Sequence, residues 1–156
     1  MYTIKNQHLT VSVEATGAQL RSIVSADGTE YIWQGDSKYW TSSAPNLFPY
    51  VGRLTQGYYL SEGKSYSMKN HGIARYRDFH LVSNDGTTLV LELISDDETL
   101  AQYPRDFAFR VIYQLAENTL QICYEVENRD EKPMRFGLGA HPGFNVPLVQ
   151  IGRAHV

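Results

Sequence analysis

A chain of 156 residues with a net charge of −3 and no block of five like charges gives no reason to expect nucleic acid or an anionic membrane surface as a partner, and a neutral small molecule fits better. Its 12% aromatic and 20% charged residues argue against disorder, and its length suits one domain with a substantial core. The N-terminus, Met-Tyr-Thr-Ile-Lys-Asn, lacks an apolar signal core and no run of eighteen apolar residues occurs, so a soluble, cytoplasmic protein is expected.

Taken in order, His8 to Glu14 alternates, with Leu9, Val11 and Val13 on one face, which predicts a half-buried strand. Gly17 turns the chain into a second strand over Leu20, Ile23 and Val24, and Ala26-Asp27-Gly28-Thr29 turns it again into a returning strand over Tyr31-Ile32-Trp33. Ser37 to Trp40 reads as a short turn, and Trp33 and Trp40 are expected to anchor the core. Ser43 to Gly52 is too rich in proline and glycine for a regular element but holds Leu47, Phe48, Tyr50 and Val51, so it should be a buried loop of fixed shape.

Tyr58 to Met68 reads as a hairpin with Gly63 in its loop, and Phe79–Val82 with Thr88–Ile94 as two antiparallel strands joined at Asn84-Asp85-Gly86. Ser95-Asp96-Asp97-Glu98 offers a capping box with Ser95 as cap and Glu98 three residues on, opening a short helix that Pro104 stops. The three carboxylates there suit a helix's first turn without any metal. Phe107 to Leu115 and Thr119 to Glu127 form the clearest hairpin, each strand alternating apolar and polar residues. The lone Cys123 lies within it with no partner at metal-ligand spacing and is expected to be a packed thiol. With no long helical period, repeat or linker, the fold class is all-β, a sandwich or barrel. Eleven tyrosines would suit a carbohydrate face, though most lie in strand-like runs that favour aromatics anyway.

Three stretches carry chemistry. Gly139 to Leu148 sets His141 among two glycines and two prolines, which restrict a turn and aim its side chain. A histidine so placed can exchange protons near neutral pH, bind a metal, or simply hydrogen-bond a carbonyl. Ala44 to Arg53 ends in Val-Gly-Arg, and Lys69 to Arg75 reads Lys-Asn-His-Gly-Ile-Ala-Arg. Arg53 presents a rigid fork of donors suited to sugar hydroxyls or a carboxylate, or to a surface ion pair.

Together, Pro-Asn-Leu-Phe-Pro-Tyr-Val-Gly-Arg, His-Gly-Ile-Ala-Arg and Gly-Ala-His-Pro-Gly-Phe-Asn resemble, in order and spacing, the galactose mutarotase (aldose 1-epimerase) family, most closely its LacX-like branch. The resemblance runs from about residue 2 to about residue 149. It implies a large twisted antiparallel β-sandwich, of which residues 1–149 would be the N-terminal portion of a much longer chain. Gln150 to Val156 matches nothing in the family pattern, and Ile-Gly-Arg-Ala-His-Val can be spelled by a common sequencing-library adapter, so an artefactual tail is expected.

The resemblance also implies a function. An aldose 1-epimerase opens the sugar ring by removing the proton of the C1 hydroxyl while protonating the ring oxygen, and the aldehyde recloses on either face. His141 matches the family's acid, and His71 and Arg53 match residues that bind the sugar and stabilise charge. Asn145, in the same motif as His141, is expected to bind substrate. No metal and no organic cofactor are implied. The family's glutamate base has no match in this chain; Glu92, Glu125 and Glu127 lie in strand patterns outside any family motif, so residues 1–156 alone are expected to be inactive. A non-catalytic sugar-binding protein is one alternative, and a hexose-6-phosphate epimerase using Arg75 and Arg77 is another.

Overall fold

The computed structural model describes residues 1–146; the expected domain limit at residue 149 and the tail at 150–156 lie outside the described residues. β1 (Tyr2–Lys5), β2 (Leu9–Val13) and β3 (Leu20–Ser25) make a three-stranded antiparallel sheet in that order. Leu9, Val11 and Val13 are buried, as their alternation predicts, whereas β1 is too short for its pattern to stand out. The expected returning strand at Tyr31–Trp33 is reduced to isolated bridges, Val24 with Glu30 and Ile32 with Phe144. The Glu30 carboxylate accepts the amides of Ile23 and Ile32, so a side chain replaces ladder bonds and the segment crosses over to residue 144.

β7 (His80–Asn84), β8 (Thr88–Ile94), β9 (Phe107–Ala116) and β10 (Thr119–Asn128) form a four-stranded antiparallel sheet in the order β10-β9-β8-β7. The inward alternation of Phe107, Phe109, Val111, Tyr113 and Leu115 is fully buried. On β10, which ends the sheet, the matching face of Leu120, Ile122, Tyr124 and Val126 is only half-buried. Both sheets feed one core, together with Phe48, which stacks on Phe109 with ring centroids 4.7 Å apart. Such a cluster of large rings contributes apolar area and favourable ring geometry together. The Tyr113 hydroxyl reaches out of this core to the Ala18 carbonyl at 2.7 Å.

The smaller elements complete the fold. β5 (Tyr58–Ser61) and β6 (Lys64–Ser67) pair through a two-residue turn in which Glu62 and Gly63 both have positive φ, +49° and +76°, the conformation that suits tight hairpins. The short helix α1 (Asp97–Leu100) is capped by Asp96, not by Ser95, and Thr99, not Glu98, closes the box. Ser95 is unavailable because its hydroxyl bonds Asp106 and the Phe107 amide. Among the described residues no helix is long and apolar enough to cross a membrane.

Candidate active site

The buried loop at residues 43–52 is the strip on which the site is built. Ser43 to Pro49 are all buried, and side chains satisfy the backbone of this irregular segment. The Gln19 side-chain oxygen accepts the backbone amides of Ser43 and Ala44, and the Asn46 side-chain amide donates to the backbone carbonyls of Gly17 and Ala18. Along one side runs the His141 segment. β4 (Asn46–Leu47) pairs antiparallel with β11 (Gly139–Ala140), the His141 amide donates to the Pro45 carbonyl at 3.1 Å, and the Gly143 amide donates to Ser43 at 2.8 Å. Along the other side runs the His71 segment, where Phe48 bridges Gly72 and its carbonyl accepts the amides of Ile73 and Ala74. The Gly139–Asn145 part of this stretch is thus held by backbone bonds to its neighbours.

This arrangement brings His71 and His141 together, with ring centroids 5.9 Å apart. At that separation both rings can reach one substrate oxygen placed between them. His71 is half-buried, and its Nδ1 accepts the Gly52 amide at 3.1 Å. Burial, then the Arg75 guanidinium, then His141 hold its pKa below the ordinary histidine value. His141 is exposed and sets its ring against the Trp40 indole, centroids 5.1 Å apart. Arg53 directly follows Gly52 in the chain, and its side chain is exposed. Among the described residues its guanidinium has no hydrogen bond or ion pair, leaving its fork of donors available.

Several charged residues elsewhere are engaged. Glu92, Glu125 and Glu127 all turn to Arg110, at 2.6, 3.7 and 3.0 Å, on the sheet face opposite the aromatic core. Arg77 pairs with Asp96 and Glu98, which accounts for that acidic cluster, and Arg75 donates to the Ser42 hydroxyl at 3.1 Å. A separate cavity of about 510 Å³ lies by the β5–β6 hairpin and Tyr103–Arg105, and neither histidine lines it. Burial pushes the phenols of Tyr59 and Tyr103 beside it up to about 12, so neither ionises near neutral pH.

A sequence model of the aldose 1-epimerase family matches residues 1–154. The chain belongs to the aldose 1-epimerase family. It is 35% identical over 153 residues to the chromosomal protein LacX of Lactococcus lactis subsp. lactis, a match covering 94% of this chain and 51% of that protein. The galactose mutarotase related enzyme of Lactobacillus acidophilus superposes with a TM-score of 0.93 at 38% identity, over 97% of this chain and 51% of that one. A galactose mutarotase-like protein from Lactobacillus casei gives a TM-score of 0.91 at 38% identity, over 94% and 50% of the two chains. The fold is therefore the mutarotase-like all-β sandwich, and the chain spans about half the length of the curated relatives it matches.

Two features of this candidate site were not legible in the local sequence pattern. Neither Trp33 nor Trp40 joins the core; Trp40 backs His141 while the Trp33 indole donates to the Trp40 carbonyl at 2.8 Å. Their backing role depends on Gly143, where a Cβ would lie 2.9 Å from the Trp40 ring and 3.1 Å from Trp33. Local pattern could not reveal it, because the contact joins residues a hundred positions apart. Asn145, expected to bind sugar, spends both amide protons on the carbonyls of Glu30 and Ile32, each at 3.0 Å. Its amide stitches the His141 segment to the crossover at residue 31 and leaves only the side-chain oxygen for a ligand.

Proposed function

We propose that this chain supplies the acid side of a hexose 1-epimerase site. His141 protonates the ring oxygen, His71 and Arg53 hold the sugar and the charge that develops on it, and the Asn145 oxygen accepts from a hydroxyl. Loss of the C1 hydroxyl proton to a base opens the ring, and reclosure on the other face gives the other anomer. The paired imidazoles at 5.9 Å carry this reading, because two rings converging from a fixed backbone strip can hold one substrate oxygen and protonate it, and a positioned general acid contributes roughly 10²- to 10⁴-fold. The base belongs to the part of the domain beyond these residues, since Glu92, Glu125 and Glu127 are committed to Arg110.

The test is polarimetry on the chain extended with the second half of the Lactococcus lactis relative. The drift of optical rotation of fresh α-galactose or α-glucose should run faster than in buffer. A protein that binds the sugar and leaves the drift unchanged would favour the second reading, a non-catalytic sugar-binding protein. What supports that reading is that, among the described residues, no carboxylate is hydrogen-bonded or ion-paired to either imidazole. Preference for a hexose 6-phosphate is less well supported, because Arg77 is taken up by Asp96 and Glu98.

A further inference from the structure

The two histidines do not have the same surroundings. His71 sits in the left-handed region at φ +67°, facing Gly52 at φ +99°. The two residues are joined twice: the His71 amide donates to the Gly52 carbonyl at 2.8 Å, and the Gly52 amide donates to His71 Nδ1 at 3.1 Å. A ring nitrogen that accepts a backbone N–H has its lone pair occupied and carries no proton. The remaining proton of a neutral imidazole then sits on Nε2. Charging the ring would set an Nδ1–H against the Gly52 N–H, in a turn whose next residue, Gly72, packs so closely on the Phe48 carbonyl that a Cβ would not fit between them. The charge-bearing neighbours of His71, Arg75 and His141, are both potential cations. His141 has no such lock: its backbone amide is bound to Pro45, and among the described residues its ring nitrogens have no hydrogen-bond partner.

We propose that the Gly52 backbone locks His71 as the neutral Nε2–H tautomer, making it a fixed hydrogen-bond donor to a sugar oxygen, so that His141 alone of the pair exchanges protons. This assignment of roles rests on the epimerase reading above, whereas the lock itself does not. Gly52 is then a positioning residue acting through its backbone, and His71 is a specificity element that demands an acceptor oxygen on the substrate. The geometry also fixes the sense of the interaction, since a locked donor cannot serve as the base that takes the C1 proton.

Histidine-selective ¹⁵N labelling of the 156-residue chain, kept dilute, tests the lock by NMR, with His71→Asn used to assign the signal. We expect a ring with Nδ1 bare and Nε2 protonated, which stays neutral to lower pH than an ordinary histidine. Two variants separate the ring's two nitrogens. His71→Asn keeps an acceptor near the Nδ1 position and tolerates positive φ, but removes the Nε2–H; His71→Gln can offer a donor near Nε2 while losing the Nδ1 acceptor. In the extended chain, His71→Asn should melt close to wild type and raise KM by roughly 10-fold, as for one lost hydrogen bond that also unpairs the sugar oxygen. His71→Gln should lower the melting temperature and keep more of the affinity. A protonated Nδ1, or a His71 charged at neutral pH, would overturn the proposal, as would a His71→Asn protein less stable than His71→Gln. If the NMR result holds while polarimetry shows no catalysis, the lock stands and the epimerase reading falls.

Discussion

Gly72 lies so close to Phe48 that a Cβ on it would overlap the Phe48 carbonyl, and its φ of +81° is one that side chains rarely adopt. The contact binds the turn carrying His71 to the buried loop that also carries the His141 segment. Gly72→Ala should therefore cost at least about 2 kcal/mol, from left-handed backbone and overlap together. For a domain of this size that lowers Tm by roughly 4–8 °C. Calorimetry checks it; an unchanged Tm would mean that the strip yields at Gly72.

Asn46 sits at a buried crossing of four groups. Its amide donates to the carbonyls of Gly17 and Ala18 at 3.0 and 2.8 Å and, at 3.4 Å, to the Tyr113 hydroxyl, and its oxygen accepts from the Tyr124 hydroxyl at 2.9 Å. Asn46→Ala leaves these partners unsatisfied and should cost about 2–4 kcal/mol. Tyr113→Phe removes the bond to Ala18, whose carbonyl keeps Asn46, and a long 3.4 Å contact from the Asn46 amide, and should cost about 1 kcal/mol. Denaturant titration of the two variants gives the order; a larger loss for Tyr113→Phe would contradict this account of the network.

The depressed pKa of His71, caused first by burial and then by Arg75 and His141, has a sign in stability. Below the ordinary value of 6.5 the unfolded chain binds a proton that the folded chain resists. This contribution is present in full above that value, is lost as pH falls from there toward the folded pKa, and levels off below it. Stability should thus fall more steeply between about pH 7 and about pH 5 in the wild type than in His71→Asn. Parallel slopes in urea titrations would show that His71 does not resist protonation.

Glu92, Glu125 and Glu127 are the nearest the described residues come to a base by sequence position, yet all three serve Arg110. Replacing them together by Gln in the extended chain should leave kcat within about 3-fold of wild type. Stability should drop only modestly, since partly exposed ion pairs contribute about 0–1 kcal/mol each. A loss of 10²-fold or more, the scale of a missing general base, would move the base onto β8 or β10.

Much of this was legible in the sequence because it is local. Period-two alternation marked β2, β9 and β10, glycine turns marked the hairpins, that of β7 and β8 among them, and the motifs around Arg53, His71 and His141 marked the candidate site. What escaped depends on distant partners. The Tyr31–Trp33 strand dissolved because the Glu30 carboxylate takes the backbone amides that a neighbouring strand would have bonded. The helix cap moved to Asp96 because Ser95 bonds Asp106 across the chain. Trp40 became a backing for His141, and Asn145 a tether, through contacts that no local spacing encodes.

The central claim is that His141 carries the proton in an aldose epimerisation. The direct measurement is polarimetry of α-galactose and α-glucose with three proteins: the 156-residue chain, the extended chain, and the extended chain bearing His141→Asn. The 156-residue chain should give the buffer rate, because acid without base leaves half of the proton exchange unassisted. The extended chain should accelerate the drift, and His141→Asn should lower kcat roughly 10²- to 10⁴-fold while the melting temperature barely moves. An extended His141→Asn protein that keeps more than about a third of wild-type turnover would remove His141 from the mechanism.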